Sequence, residues 1–246
     1  MNNLEWCINY LKGINNIKAN LDIDFYTFRA LLNITMPINL SADYYIHQDE
    51  VLQNVLKEKE IIDVNSLDDG ISIIKGDITL IKADAIVNAC NNKMLGCFVP
   101  NHHCIDNAIH TFAGLQVRRD MMEIMEKLGH DEVNGNCKVT KAYNLPSKYI
   151  LHTVGPIYNN TKQNEIDLRS CYLSCLEEAD RMNLNSIVFC SLSTGVFGYP
   201  IEKASVISLN AIKDYLSNYN KNIKKVIIDL FNDNDYYVYK ERFKEL

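Results

Sequence analysis

The chain has 246 residues, 47% hydrophobic and 23% charged, with a formal net charge of -6 at pH 7. That length holds one sizeable core, or one domain with an appendage, and the composition is that of an ordinary globular protein. The acidic balance argues against a nucleic-acid backbone as main partner, and the absence of a long apolar stretch argues against a membrane span.

The first residues, Met1-Asn2-Asn3-Leu4-Glu5-Trp6, lack the basic and apolar regions of an export signal, so a cytoplasmic location is expected. In that compartment the eight cysteines are reduced thiols rather than a disulfide framework. Cys7, Cys171, Cys175 and Cys190 sit in apolar patterns and read as small buried hydrophobes.

Residues 1 to about 68 read as helices without strands, a helical N-terminal extension with no chemistry of its own. Apolar spacing predicts helices around Leu4–Leu11, over Asp24–Leu32, and from Ser41, as N-cap, to Lys59. From about residue 69 onward strands alternate with helices. Strands are expected at Ile71–Lys75, Ala85–Ala89, Cys137–Tyr143, Tyr149–Val154, Ser186–Cys190 and Lys225–Leu230. Helices are expected at Cys104–Leu128, Ile166–Met182, Pro200–Tyr215 with Pro at the first position, and from Asp233. Continuous β-branched runs separated by helices imply a mostly parallel sheet covered on both faces. In such a sheet ligands bind beyond the carboxyl ends of the strands.

Two of those strand ends carry chemistry. After Ala85–Ala89 comes Cys97-Phe98-Val99-Pro100-Asn101-His102-His103-Cys104, two thiols bracketing two imidazoles. Sulfur and nitrogen donors suit zinc, and three convincing ligands leave one coordination position open, as catalytic zinc requires. After Ser186–Cys190 comes Ser193-Thr194-Gly195-Val196-Phe197-Gly198, between a buried strand and a helix. Its backbone N–H groups and the following helix N-terminus form an anion pocket even in an acidic protein. It is neither a Walker A loop nor a dinucleotide fingerprint.

These segments occur in an ordered series: Gly76-Asp77-Ile78-Thr79, Ile86-Val87-Asn88-Ala89-Cys90-Asn91, Ile105-Asp106-Asn107-Ala108-Ile109-His110, Asn144-Leu145-Pro146 with His152-Thr153-Val154-Gly155-Pro156, and Ser193 to Pro200. The series resembles the macrodomain family over about residues 70 to 246. Where ordinary macrodomains carry a run of glycines, this chain has the Cys-Phe-Xaa-Pro-Xaa-His-Xaa-Cys run, which is similar to the zinc-dependent, bacterial protein ADP-ribosyl hydrolase subfamily. The resemblance implies a three-layer α/β/α fold with a mixed, mostly parallel sheet over 69–246, and an N-terminal helical extension over 1–68.

The resemblance also implies site residues. The metal ligands are Cys97, His102 and Cys104, with His103 turned to solvent or behind the ligands. Asp77 accepts from the adenine amino group beside the Ile78 backbone, and Phe231 lies against the ring. Ser193, Thr194, Gly195, Val196 and Phe197 wrap the diphosphate and distal ribose. Asn91 contacts that ribose, and Asp106 positions the reacting centre.

A helix starting near Asp106 is expected to cap on that residue and to favour the Cys104 thiolate. His110 and His152 read as packed structural histidines, His47 and His130 as exposed. Cys90 reads as buried, and Asn88 as satisfying backbone groups at a strand end.

The function implied is zinc-dependent removal of mono-ADP-ribose from Asp or Glu ester linkages on a protein. In some relatives the modified protein is a lipoyl-carrier protein modified by a sirtuin-type transferase. A non-catalytic ADP-ribose-binding module with a structural zinc and an O-acetyl-ADP-ribose deacetylase use the same pocket.

Overall fold

The structure, a computed structural model, describes residues 2–245. Three helices come first: α1 (Asn3–Ile14), α2 (Phe25–Ile34) and α3 (Ala42–Lys57). Each begins on a side chain that accepts from an otherwise orphaned helix N–H: Asn2, Asp24 and, as expected, Ser41. Their apolar stripes meet in a small core of their own, built around Cys7, Leu11, Phe28, Leu32 and Tyr44.

The rest of the chain runs β1 (Ile62–Asp63), β2 (Gly70–Lys75), β3 (Ile81–Lys82), β4 (Ala85–Cys90), α4 (Ile105–Ala113), α5 (Leu115–Leu128), β5 (Cys137–Lys141), β6 (Tyr149–Val154), α6 (Lys162–Arg181), β7 (Ser186–Phe189), α7 (Ile201–Asn218), β8 (Lys225–Leu230) and α8 (Asp233–Lys244). A six-stranded sheet has the order β2-β8-β7-β4-β6-β5. All its pairings are parallel except β5 with β6. The sheet is therefore mixed and mostly parallel, as expected. Every residue of β4, β7 and β8 except Ala89 and Lys225 is buried, so helices cover both faces. Helix α4 packs on β4 and α5, while α6, α7 and α8 pack side by side. No helix among the described residues is long and apolar enough to cross a membrane, and all eight cysteines are free thiols.

Four expectations are corrected. The region before residue 68 is not free of strand: Ile62 and Asp63 pair in parallel with Ile81 and Lys82. Two residues are too few for a periodic signal. The single helix expected over Cys104–Leu128 is two helices, broken at Gly114, whose φ is +96°. The cause is tertiary. Gln48 of α3 reaches into the break and accepts from the Leu115 N–H at 3.0 Å. A Cβ on Gly114 would lie 2.4 Å from Gln48 Nε2. Pro200 precedes its helix as N-cap rather than occupying the first turn. Finally, α4 is capped by Cys104, whose Sγ accepts from Asn107 N–H at 3.4 Å, and not by Asp106.

A side chain at residue 114 meets both a left-handed backbone and a filled space. Gly114→Ala should therefore lower the unfolding free energy by roughly 2 kcal/mol or more. Urea denaturation of the variant beside the parent protein measures this.

Candidate active site

The carboxyl ends of β2, β8, β7, β4 and β6 share one edge of the sheet because those strands are mutually parallel. The segments that follow them converge on a cleft of about 1140 Å³. Its walls contain each sequence-expected residue: Asp77 and Ile78, Asn91, the Cys97–Cys104 loop, Asp106, Ser193 to Phe197, and Phe231.

At one end, Asp77 caps a 3-10 turn over Ile78–Leu80, accepting from Thr79 N–H at 2.9 Å and Thr79 Oγ1 at 2.7 Å. Its second carboxylate oxygen makes no hydrogen bond among the described residues. Phe231 is 80% exposed, a ring with no packing duty, which is what a stacking platform requires. Sequence reading passed over Asp229, which is 5% exposed and lines the same end of the cleft. Burial, and then the nearby Asp77 charge, push its carboxyl up to about 7.

The Ser193–Phe197 loop is built differently from its glycine content. The left-handed positions are Ser193, φ +64°, and Gly198, φ +68°, and not Gly195. The turn is held by Gly198 N–H to Gly195 O at 3.0 Å and Tyr199 N–H to Ser193 O at 2.9 Å. Gly155, after β6, leaves room for the Ser193 side chain, because a Cβ there would come within 2.1 Å of Ser193 Oγ. Ser193 Oγ is buried without a hydrogen-bond partner. Val196 is 78% exposed at the rim. A buried unpaired hydroxyl in a loop whose Thr194 to Phe197 N–H groups make no hydrogen bond among the described residues fits an anionic guest.

Across the cleft, the ligating atoms of Cys97, His102 and Cys104 lie within 4.8 Å of one another, all half-buried. Cys97 Sγ and His102 Nδ1 are 3.7 Å apart. Two soft sulfurs and an imidazole at such separations match zinc in both donor type and spacing. His103 is exposed and outside this group. The expected thiolate effect at the helix start is outweighed. Burial pushes the Cys104 thiol up to about 12, against the Asn107 N–H, which pulls it down.

Behind the tripod, Asn91 bridges its own loop, donating to Gly96 O at 3.3 Å and accepting from Lys93 N–H at 3.0 Å. Asp106 projects from the first turn of α4 toward the sheet and is 5% exposed. Asn88, expected to satisfy backbone groups, instead pairs with side chains, and its Oδ1 is buried without a partner. Its Nδ2 donates to Asp106 Oδ1 at 2.8 Å and lies 3.2 Å from His152 Nδ1, whose Nε2 is 2.9 Å from Thr140 Oγ1. Burial pushes the Asp106 carboxyl up to about 6. Burial lowers His152 to about 3 and His110 well below the usual imidazole range, so both are neutral packed rings, as expected. Cys90 is buried, its thiol donating to Thr153 O at 3.2 Å. His130 is exposed, but His47 is half-buried, 2.8 Å from Asn3 Oδ1.

The N-terminal helices, expected only to pack, hold the loop that carries Cys97, His102 and Cys104. Arg118 of α5 is 1% exposed and donates to Leu95 O of that loop and to Leu32 O, Asn33 O and Thr35 O at the end of α2. Its guanidinium lies 4.3 Å from the centre of the Phe98 ring. Asn33 Oδ1 accepts from Asn101 N–H at 2.8 Å. Arg29 donates to His102 O at 3.0 Å and to Asn107 Oδ1 at 2.8 Å. Only one signal for this clamp was present in the sequence: Arg29 and Asn33 stand four residues apart on a largely apolar helix.

A parallel-edged α/β sheet with an anion loop, an aromatic platform and a carboxylate at one cleft is the architecture of a nucleotide-binding α/β module. The family model described as Macro domain matches residues 87–208. A protein-ADP-ribose hydrolase of Staphylococcus aureus (strain MRSA252) is 44% identical over 253 residues, 98% of this chain and 94% of the relative. A Treponema medium protein of the same name is 39% identical over 87% of this chain and 85% of its own length. Among solved structures, the Oceanobacillus iheyensis macrodomain with ADP is 38% identical, with a TM-score of 0.66 over 73% of this chain and 92% of its own. The Trypanosoma brucei macrodomain in complex with ADP-ribose is 28% identical, with a TM-score of 0.69 over 87% and 94% of the respective chains. The chain belongs to the macrodomain family.

Asp229 carries a pH-dependent cost that can be measured without any ligand. Its folded pKa of about 7 lies above the unfolded value, so it costs nothing below about pH 4. The cost grows as pH rises toward 7 and is complete above it. Asp229→Asn should therefore leave stability at pH 4 nearly unchanged. At pH 8 it should add on the order of 1–3 kcal/mol, read by denaturant titration at both pH values.

Proposed function

We propose that this macrodomain is a protein-ADP-ribose hydrolase that uses zinc to release mono-ADP-ribose from Asp or Glu side chains. The observation that carries the reading is the Cys97, His102, Cys104 tripod on the wall of the same cleft that holds Asn91 and Asp106. Its support from relatives is the end-to-end likeness to proteins named protein-ADP-ribose hydrolase.

The two ends of the cleft support one direction for the ligand. Asp77 has a free acceptor for the adenine amino group, with Ile78 N–H beside it and the exposed Phe231 ring to cover the base. The N–H groups from Ser193 to Phe197 take the diphosphate charge, with Thr194 and Gly195 at the turn and Val196 at the rim. That direction brings the distal ribose to Asn91 and the tripod. Cys97, His102 and Cys104 would hold zinc there, which would supply a Lewis acid tempered by the two thiolates. Asp106, fixed by Asn88 and near neutral in pKa, orients a ribose hydroxyl or the attacking water and can take up a proton. The buried sheet behind it keeps bulk water to the open side. The substrate is a mono-ADP-ribosylated protein, and an ADP-ribosylated lipoyl-carrier protein is the first one to try.

Metal analysis of the native protein should find stoichiometric zinc. Release of ADP-ribose from a Glu/Asp-modified protein should stop on chelation and return with zinc. Cys97→Ala should lose metal and turnover together. Asp106→Asn should keep its metal and lose about 100-fold in turnover, the usual scale of a proton-handling group. Full activity in both variants would overturn the mechanism. ADP-ribose binding without any turnover would leave a binding module instead.

A further inference from the structure

Arg29 has features that its bracing role does not use up. It lines the cleft beside His102, His103 and Cys104. Its Nε and Nη2 are engaged by Asn107 Oδ1 and His102 O, which pin the guanidinium in place. Its Nη1 makes no hydrogen bond among the described residues. Of the cleft-lining Lys and Arg side chains, Lys93 is neutralised by Asp131 at 2.7 Å, and Arg29 has no carboxylate within ion-pair distance among the described residues. The protein as a whole carries a formal charge of -6, so an oriented, unpaired cation at the tripod end of the cleft is conspicuous. The nearby rim is apolar and open: Met36 is 58% and Val99 56% exposed.

With the adenine end at Asp77 and Phe231, whatever is attached to the distal ribose leaves the cleft past the tripod, along this wall. We propose that Arg29 binds the side-chain carboxylate released from the modified protein, making it the residue that selects acidic-side-chain linkages. This rests on the hydrolase reading above and names its leaving-group subsite. In the step, the bond between C1″ and the ester oxygen breaks, and its electron pair stays on the carboxylate. A water oxygen bonds to C1″, one of its protons remains on the new hydroxyl, and the other passes to solvent. Negative charge thus appears on the ester oxygen as the bond breaks. A guanidinium already held in position on the cleft wall stabilises that charge without reorganising, and its Nη1 is not engaged by any acceptor among the described residues.

The experiment uses the full chain with its metal. Wild type, Arg29→Gln and Arg29→Lys are compared for turnover of a Glu/Asp-ADP-ribosylated protein, for ADP-ribose affinity by calorimetry, and for zinc content. Propionate, the carboxylate fragment of a glutamate side chain, is added as a product probe. Arg29→Gln should lose about 10- to 100-fold in kcat with unchanged zinc and ADP-ribose affinity, and Arg29→Lys should recover part of the loss. Propionate should inhibit wild type and lose its effect on Arg29→Gln. Wild-type turnover in Arg29→Gln overturns the proposal, as does a loss accompanied by loss of zinc, which assigns Arg29 to bracing alone. Equal propionate inhibition in both proteins also overturns it. If wild type itself releases no ADP-ribose from the acidic linkage, the hydrolase reading fails first and takes this subsite with it.

Discussion

The candidate site depends on one buried cation. Arg118 is almost fully removed from water yet has no carboxylate bound to it among the described residues, and its charge is met by main-chain carbonyls from two separate bodies and by the face of Phe98. Burial lowers it only to about 10, so it stays ionised at neutral pH. An uncompensated buried charge is very costly, and these oxygens are what offset the cost. Three of the carbonyls lie at the end of α2 and one lies in the loop that leads to Cys97. The charge is satisfied only when both are in place, so the N-terminal bundle and the Cys97–Cys104 loop take up their positions together. Asn33 and Arg29 repeat the link on either side of it.

Around that joint, the sheet supplies the geometry. Parallel pairing sends the ends of five strands to one edge, and each end delivers a different component: a capped carboxylate, an amide, a glycine that leaves room, an anion loop and an aromatic ring. Several of these components are strained or unsatisfied in isolation. Ser193 has a left-handed backbone and an unpaired hydroxyl, and Asp229 is a buried carboxyl without a counterion. Such departures gather where a ligand is accommodated.

Much of this was legible in the sequence where the cause is local. The buried strands announced themselves as β-branched runs, Ser41 marked its helix start, and the spacing of Cys97, His102 and Cys104 brings their donor atoms together. What could not be read depends on residues far apart in the chain. Gly114 breaks a helix because Gln48 fills its turn, and no pattern around Gly114 announces Gln48. Cys104 rather than Asp106 caps α4 because Asn88, from β4, draws the Asp106 carboxylate inward. Nothing in the sequence around Arg118 sets it apart from its neighbours Arg119 and Asp120. Its burial follows from the docking of α2, which sequence periodicity describes only as a helix with an apolar face.

The two apolar clusters have a further consequence. The N-terminal helices keep their own small core and meet the larger one through Leu115, the stacked rings of Phe25 and Phe112 and a set of polar links. A unit of that size, joined in that way, opens at lower free energy than the sheet does. When it opens, Arg118 loses most of its oxygens and the Cys97–Cys104 loop loses its outer wall, while the strand ends across the cleft stay folded. Gentle heating should therefore loosen that loop well before the sheet melts, leaving one wall of the cleft standing without the other.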